Sequence, residues 1–488
     1  MSPAMLDGLL LLASVLGIGG LVAVGEGLRR RGVSSAVTRR LVHAGVCLFV
    51  ALTPLFFSGP TPVCLLAGGF VLVNGVAWAG NRWPSLHAAR RESWGTVAVP
   101  LAVLPAAAAT WSVAPDRVVT FQAAFLVLGS ADPVAAWVGD AYGGRRLTET
   151  ASLPGSASFL GVSVGVVGAT LLAAGWEPLR AGAAAGIAGL VTTAVEAVSR
   201  RGWDNLFVVL AAILVLVPLG AGTVSPQILV GALGAGLGFG AGAYYADLLD
   251  PSGAVGGGLF AASLVGLGGT AWVVPGLAFF VLSSALSLLP VPGGSASSGR
   301  PRRTLRQVLA NGGVAWTVLA GAALVPPGAP AVRAACYAGF AGALAAAAAD
   351  TWATELGTRY AGAPFSLRRW TRVARGTSGA VTGIGTGAAV LGAATVAAAA
   401  GLSPPVAPGA APSLWTVLGA GVVGMGLDSA AGATVQAQYE AGPGPAVLEH
   451  PLRPDQAPVR GRRGVDNDVV NLLGTAGGAA AALLLWGL

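Results

Sequence analysis

Apolar stretches of about 20 residues, the length that crosses a bilayer as a helix, recur along all 488 residues and are separated by short breaks of Arg, Pro or Gly-rich polar sequence. The breaks predict about sixteen spans, at 6–25, 41–57, 61–80, 95–113, 118–138, 157–175, 180–198, 204–220, 226–246, 253–269, 271–290, 306–325, 331–349, 379–401, 413–437 and 469–487. The Gly-rich run 231–243 fits a re-entrant segment as well as a span. The expected fold class is therefore an all-α integral membrane protein.

The polar breaks are not equivalent. If the chain alternates sides, the loops after odd-numbered spans hold 25 Arg, and only Arg117, Arg180 and Arg333 fall on the other side. The positive-inside rule places the Arg-rich loops in the cytoplasm and both termini outside. The carboxylates segregate too, with Asp7, Asp116 and Glu177 outside and the other 17 at or beside the cytoplasmic face. Acidic residues contribute little to topology, so this bias points to active sites on the cytoplasmic side of the cell membrane.

Composition then removes whole classes of chemistry. The 28 basic and 20 acidic residues are few against a hydrophobic fraction of 54% and a mean hydropathy of +0.73, where a soluble domain carries about 25% charge. All the basic residues are Arg. Without Lys there is no Walker-type P-loop, no protein-kinase strand Lys and no Schiff base. Cys47, Cys64 and Cys336 lie scattered in apolar runs, and His43, His87 and His450 are the only imidazoles. A zinc enzyme is poorly supplied, and any metal is expected on carboxylates. The isoelectric point of about 10.2 reflects membrane topology; nucleic acid is not an expected partner.

A turn at 221–226 divides the spans eight and eight, giving candidate domains 1–222 and 223–488 that form two parallel eight-helix repeats. Ala131-Asp132-x-x-Ala135-x-x-x-Gly139 closes span five, and Ala349-Asp350-x-x-Ala353-x-x-x-Gly357 closes its counterpart. Gly155-Ser156 is paired with Gly376-Thr377-Ser378 at the start of span six, Glu196 with Asp428 on span seven, and Asp204-Asn205 with Asp466-Asn467-Asp468 at span eight.

In the second half, a helix over 350–355 gathers Asp350, Thr351, Thr354 and Glu355 within an arc of about 140°. Asp428 shares a face with Ser429, Gly432 and Gln436, and Asn467, Asp468 and Asn471 open the last span. These oxygen donors suit Mg²⁺. Between them stand Arg359, Arg368, Arg369, Arg372 and Arg375, followed by Gly376-Thr377-Ser378-Gly379. Guanidinium forks and free N–H groups at a helix start suit phosphate oxygens. Nucleotide phosphates, Mg²⁺ and a membrane-embedded acceptor are the expected ligands.

From about 226 onward the chain closely resembles the membrane family that contains phytyl-phosphate kinase. The likeness rests on Arg306-Gln-Val-Leu-Ala-Asn-Gly312, Ala349-Asp-Thr-Trp-Ala-Thr-Glu-Leu-Gly357, Gly376-Thr-Ser-Gly379, Asp428-Ser429 with Gly432-Ala-Thr434 and Gln436, and Asn467-Asp-Val-Val-Asn471. Ala380 stands where that family usually has a second Gly. Residues 1 to about 220 resemble, more loosely, the CTP-dependent phytol and dolichol kinases through Arg39-Arg40 with His43, the Asp132–Gly143 segment, Gly155-Ser156, and Glu196 followed by Asp204-Asn205. There Asp140 replaces a common basic residue, and Ala151–Ser156 replaces a Lys-bearing loop, leaving Arg145 or Arg146 to supply the charge.

The resemblance implies a bifunctional kinase using CTP and Mg²⁺, the first half converting phytol or a similar isoprenoid alcohol to its monophosphate and the second converting that to the diphosphate. His43, Asp132, Glu196, Asp204, Asp350, Glu355 and Asp428 are the expected catalytic residues, with Asp132, Glu196, Asp350, Glu355, Asp428 and Asp468 as metal ligands. Arg145, Arg146, Gly155, Ser156, Asn205, Arg372, Arg375, Gly376, Thr377, Ser378, Asn467 and Asn471 are expected to hold the nucleotide. Activity of the second half alone is one alternative. A lipid transporter or flippase is another, but it places its site near the midplane. A lipid cytidylyltransferase is a third, without its usual Lys-Asp and Pro-Gly-His-Gly-Gly signature. Membrane lipids are the remaining expected partners. With the three native Cys replaced, a cysteine at Arg200 should react with an impermeant maleimide only after lysis and one at Thr223 in intact cells; the reverse pattern inverts the topology.

Overall fold

The computed structural model describes residues 2–79, 94–113, 117–148, 151–289, 302–326, 328–366, 370–373, 377–402, 404–405, 411–440, 447–448, 451–453 and 456–487. Within them the chain is helical, as the apolar pattern requires. In order the helices are α1 (Pro3–Arg30), α2 (Ser35–Leu52), α3 (Pro60–Ala79), α4 (Gly95–Ala109), α5 (Val118–Tyr142), α6 (Leu153–Ala173), α7 (Pro178–Val198), α8 (Asp204–Gly220), α9 (Pro226–Tyr245), α10 (Pro251–Ser263), α11 (Thr270–Ser287), α12 (Leu305–Leu324), α13 (Pro330–Tyr360), α14 (Gly383–Leu402), α15 (Leu414–Thr434) and α16 (Asn467–Trp486).

Fourteen of these are long and apolar enough to cross a membrane, α10 by continuing through the π-helical turn Leu264–Gly268; α4 and α8 are shorter. Of the two, α8 has its expected extent, whereas α4 ends at Ala109, four residues short of the expected span 95–113. Asp204 opens α8, and α4 carries Pro100 and Pro105 inside it, residues that cost a helix its hydrogen bonds. The run 231–243 lies inside the continuous helix α9. Residues 380–381, expected in a span, instead form a strand with 365–366, and 439–440 pair with 447–448.

The chain divides into two compact units, Met1–Val230 and Gly231–Leu488. In the first, α5 packs against α2, α6 and α8, while α4 and α7 also pack on α8. In the second, α13 packs against α12, α14, α15 and α16 and is the most buried of the candidate spans. The pairings α4 with α8, α5 with α6, α5 with α8, α6 with α7 and α7 with α8 recur as α12 with α16, α13 with α14, α13 with α16, α14 with α15 and α15 with α16. The three opening helices of each unit do not repeat: α2 reaches α5, whereas α10 packs on α12 and α11 on α13 and α14.

Small residues set these contacts. Hydrocarbon gives helices no hydrophobic reason to associate, so close backbone approach through Gly and Ala supplies the attraction. Gly342, Gly421, Gly424, Gly474 and Gly478 line the faces where α13, α15 and α16 meet. A Cβ on Gly478 would lie 2.6 Å from both the Gly342 carbonyl oxygen and Ala346 Cβ, whereas one on Gly426 would meet nothing within 4 Å. Gly478→Ala should therefore cost about 1–3 kcal/mol by overpacking and lower the melting temperature in detergent. Gly426→Ala should leave it unchanged or slightly higher.

Candidate functional site

At one end of that three-helix seam the small residues give way to polar ones. On α13 the sequence Gly342, Ala346, Asp350 runs at i, i+4 spacing, and on α15 Ala420, Gly424, Asp428 does the same. Residues so spaced stack on one helix face, so backbone contact higher up brings the two carboxyls together below. Asp350 and Asp428 lie within hydrogen-bond reach of each other. Gly474 of α16 makes room for them, since a Cβ there would sit 3.0 Å from Asp428 Cβ.

The crevice around the pair is lined by Asn311, Ala346, Ala347, Asp350, Gly424, Asp428, Asn471, Gly474 and Thr475. With its amide assigned from its neighbours, Asn471 Nδ2 donates to Asp428 Oδ1 (3.2 Å) and to the Asn467 carbonyl (3.1 Å). Asn311 Nδ2 donates to the Gln307 carbonyl at 3.0 Å, and Thr475 Oγ1 to the Ala310 carbonyl at 3.3 Å. Neither Asn311 nor Thr475 was among the expected site residues. Thr475 was legible as the i+4 neighbour of Asn471, and Asn311 as the one amide in an otherwise apolar turn of α12. Two carboxylates in contact need a cation or a shared proton.

Other expected ligands are held elsewhere. Glu355, predicted beside Asp350 on the metal, instead accepts from Ser287 Oγ (2.6 Å) and pairs with Arg359; its position about 140° round α13 turns it toward α11. Asp468 pairs with Arg306 Nε at 3.1 Å, and Arg306 also reaches Asp466, the N-cap of α16. With Glu355 and Asp468 paired to Arg, Asp350 and Asp428 are the two expected ligands of this unit that face each other. Arg372 is exposed, with its backbone bridged to Phe365. Thr377 and Ser378 lead into Gly379, whose φ of +70° lets the loop sit against Ser429 and Ala433 at the end of α15. Arg375 and Gly376, with Arg368 and Arg369, lie outside the described residues.

The first unit gathers a looser cluster. His43 Nε2 of α2 lies 3.7 Å from Asp132 Oδ2 of α5 and 3.8 Å from Cys47 Sγ. Glu196 of α7 and Asp204 of α8 are close enough to Asp132 to repel it, and Arg39 and Arg40 offset that repulsion. Glu196 Oε2 and Ser156 Oγ are buried without a partner. Arg40 also pairs with Asp140, so the acidic substitution there ties α2 to α5. Arg145 and Arg146 are exposed in a tight turn in which Leu153 N donates to the Arg145 carbonyl at 2.9 Å. Asn205, expected on the nucleotide, instead donates to the Gly95 carbonyl (3.5 Å) and joins α8 to α4.

The repeat is legible in these details, with one change of register. Ser152 caps α6 by accepting from Gly155 N at 3.2 Å, and Thr382 does the same for Gly385 N at 2.9 Å. A Cβ on Gly155 would lie 3.1 Å from the Ala135 carbonyl oxygen; one on Gly385 would lie 3.1 Å from that of Ala353. Gly155-Ser156 therefore corresponds to Gly385-Thr386, correcting the expected match with Gly376-Thr377-Ser378. The loop at 377–379 has no counterpart in the first unit at that register.

A family model described as integral membrane protein DUF92 matches residues 234–479, just over half of the chain. The chain belongs to that family. No curated protein and no solved structure matches it. The match begins within α9 and ends within α16, so the Asp350–Asp428 crevice lies entirely inside the DUF92 segment.

Among the described residues no group of three or more His, Cys, Asp or Glu side chains is arranged to hold a metal. The DUF92 donor set still suits Mg²⁺, which commonly takes one or two carboxylates and completes its shell with water and phosphate oxygens. Mn²⁺ accepts the same oxygen donors. In an EPR titration of the purified protein, Asp428→Asn should weaken Mn²⁺ binding by about ten-fold or more, and Asp468→Asn should change it little. Equal losses would mean that the ligands are wrongly drawn.

Proposed function

We propose that the protein is a bifunctional isoprenoid kinase, phosphorylating a prenol such as phytol in its first unit and the resulting monophosphate in its DUF92 unit, with CTP and Mg²⁺ at the cytoplasmic face. The observation that carries this reading is the Asp350–Asp428 contact, flanked by Asn471 and Asn311, where three spans meet. A paired acid within membrane helices is costly unless it serves a cation or substrate path. Its counterpart in the first unit draws on α5, α7 and α8 in the same order.

In the DUF92 unit the acceptor is already an oxyanion. One of its oxygens forms a bond to the terminal phosphorus of the nucleotide, and the bond from that phosphorus to the bridging oxygen breaks, releasing the nucleoside diphosphate. Bound Mg²⁺ would neutralise charge on the transferring phosphoryl group. Asp350 and Asp428 would hold the cation, Asn471 orients Asp428 by donating to it, and the Thr377-Ser378-Gly379 loop, which lies against Ser429 and Ala433 of α15, would meet the phosphates.

An alcohol acceptor differs because it must lose a proton as it attacks. His43 answers that need, with Asp132 stabilising the imidazolium that forms. A narrower reading, in which only the DUF92 unit is active, is favoured by the missing Lys in the segment Ala151–Ser156.

The test is phosphoryl transfer by the purified full-length chain with CTP, Mg²⁺ and either phytol or phytyl phosphate. Asp350→Asn should halt the sequence at the monophosphate, and Asp132→Asn should abolish use of the alcohol while sparing the monophosphate. Alcohol phosphorylation that survives Asp132→Asn sinks the two-site assignment. No transfer to either substrate with any nucleotide leaves transport as the leading alternative, and nucleotidyl transfer to the lipid phosphate identifies a cytidylyltransferase.

A further inference from the structure

Glu355, displaced from the metal, belongs to a second polar cluster in the DUF92 unit, built where α11 ends, α12 begins and α13 finishes. Arg359 is 8% exposed. One of its terminal nitrogens pairs with Glu355, and the other donates to the Ser287 carbonyl at 3.4 Å. Arg303, which precedes the Thr304 cap of α12, reaches the same residue from the other side, its Nη2 donating to Ser287 Oγ at 3.2 Å. Two guanidiniums thus converge on one serine, and only Arg359 is in ion-pair contact with the one carboxylate, Glu355.

The charge in this cluster does not balance. Arg303 has no carboxylate in ion-pair contact among the described residues, and burial pushes its guanidinium down from the ordinary value. Arg359 Nε is buried with no partner at all. Capping the C-terminus of α11 explains one Arg, and pairing with Glu355 uses the same side chain again. Neither explains a second, half-buried guanidinium held by a neutral hydroxyl. A guanidinium drawn partly out of water with no carboxylate on it is costly, and an anion resting on both Arg residues would remove that cost.

We infer that Arg303, Arg359 and Ser287 form a phosphate-binding site, separate from the acid pair, that takes a phosphate monoester or diphosphate. Two planar forks with a hydroxyl between them match tetrahedral phosphate oxygens. Glu355 holds Arg359 in place and partly offsets its charge, which keeps binding reversible. Asp350 and Glu355 are five residues apart on α13, a rise of roughly 7.5 Å, and their faces diverge. The site is therefore a docking point for a phosphate, away from the metal. The choice of phosphate as the anion rests on the kinase reading; the excess of positive charge does not.

Binding can be measured without turnover, so failure here is distinct from failure of the kinase reading. Purified full-length protein in uncharged detergent is titrated, without nucleotide or metal, with inorganic pyrophosphate in one arm and a short-chain prenyl monophosphate in the other, following thermal stabilisation. Arg303→Gln should weaken binding by about ten-fold, with Arg303→Lys recovering part of it. Glu355→Gln should tighten binding several-fold, a direction that general damage to the fold does not produce. Tighter binding in both arms identifies a site for any phosphate, and tightening confined to the prenyl phosphate identifies a lipid-phosphate site. Glu355→Gln that fails to tighten either ligand, or Arg303→Gln that binds both as the wild type does, overturns the inference.

Discussion

Backbone-to-backbone contact among α13, α15 and α16 is the interaction on which the DUF92 unit depends. Glycines at 342, 424, 474 and 478 bring the helices close enough that a methyl group at position 478 would collide with carbonyl oxygen and Cβ alike. In a bilayer this contact is the source of association. The same contact decides where chemistry can occur. Since Asp350 lies two i+4 steps from Gly342 and Asp428 one step from Gly424, the spacing that joins the helices also presses two carboxyls together. Gly474 contributes by absence of a side chain, leaving the space that Asp428 occupies. A bulkier seam would separate the carboxyls and leave two isolated acids in an apolar environment.

The two units apply the same device with different results. Ser152 and Thr382 cap the sixth helix of each unit, and Gly155 and Gly385 let that helix rest on the carbonyl of Ala135 or Ala353, three residues after the key aspartate. Gly189 and Gly421, each seven residues before the acid of the seventh helix, both face the sixth helix closely. Beyond this shared frame the surroundings diverge. The first unit brings in α2 with His43 and an Arg pair, whereas the second substitutes amides from α12 and α16 and adds the 377–379 loop. The common five-helix arrangement is thus lined differently in the two units.

Charge elsewhere in the DUF92 unit is managed by pairing across helix ends. Arg306 binds both acids at the start of α16, so it fixes the helix that carries Asn471. The Thr304 and Gln307 capping box starts α12 and sets the turn from which Asn311 projects. Several motif residues thus act on the crevice without lining it. Sequence alone does not separate these positioning roles from direct contact, because both favour the same residue types at the same ends of the helices.

Much of this protein is written in its one-dimensional pattern. Apolar run length dictates a helical membrane protein, because the bilayer forces every backbone group to be satisfied within its own segment, and most helix ends fall near the breaks. The main departure is α13, running to Tyr360 past an expected end at 349, and α2 begins at Ser35, six residues before its expected start. The aspartates at 132, 350 and 428 stand out for the same reason, as charges set within apolar helices. Partner choice is a different matter. Asp350 meets Asp428 across 78 residues of chain, while Glu355, five residues away, turns to Ser287 and Arg359; Asp468 is taken by Arg306, and Asn205 by a backbone carbonyl. The true counterpart of Gly155 was obscured by a nearer Gly-Thr-Ser sequence that resembles it in type. Local sequence determined which residues would be polar at a helix end. Only the packing of helices, through close contacts between glycines distant in the chain, decided which of those polar residues face one another.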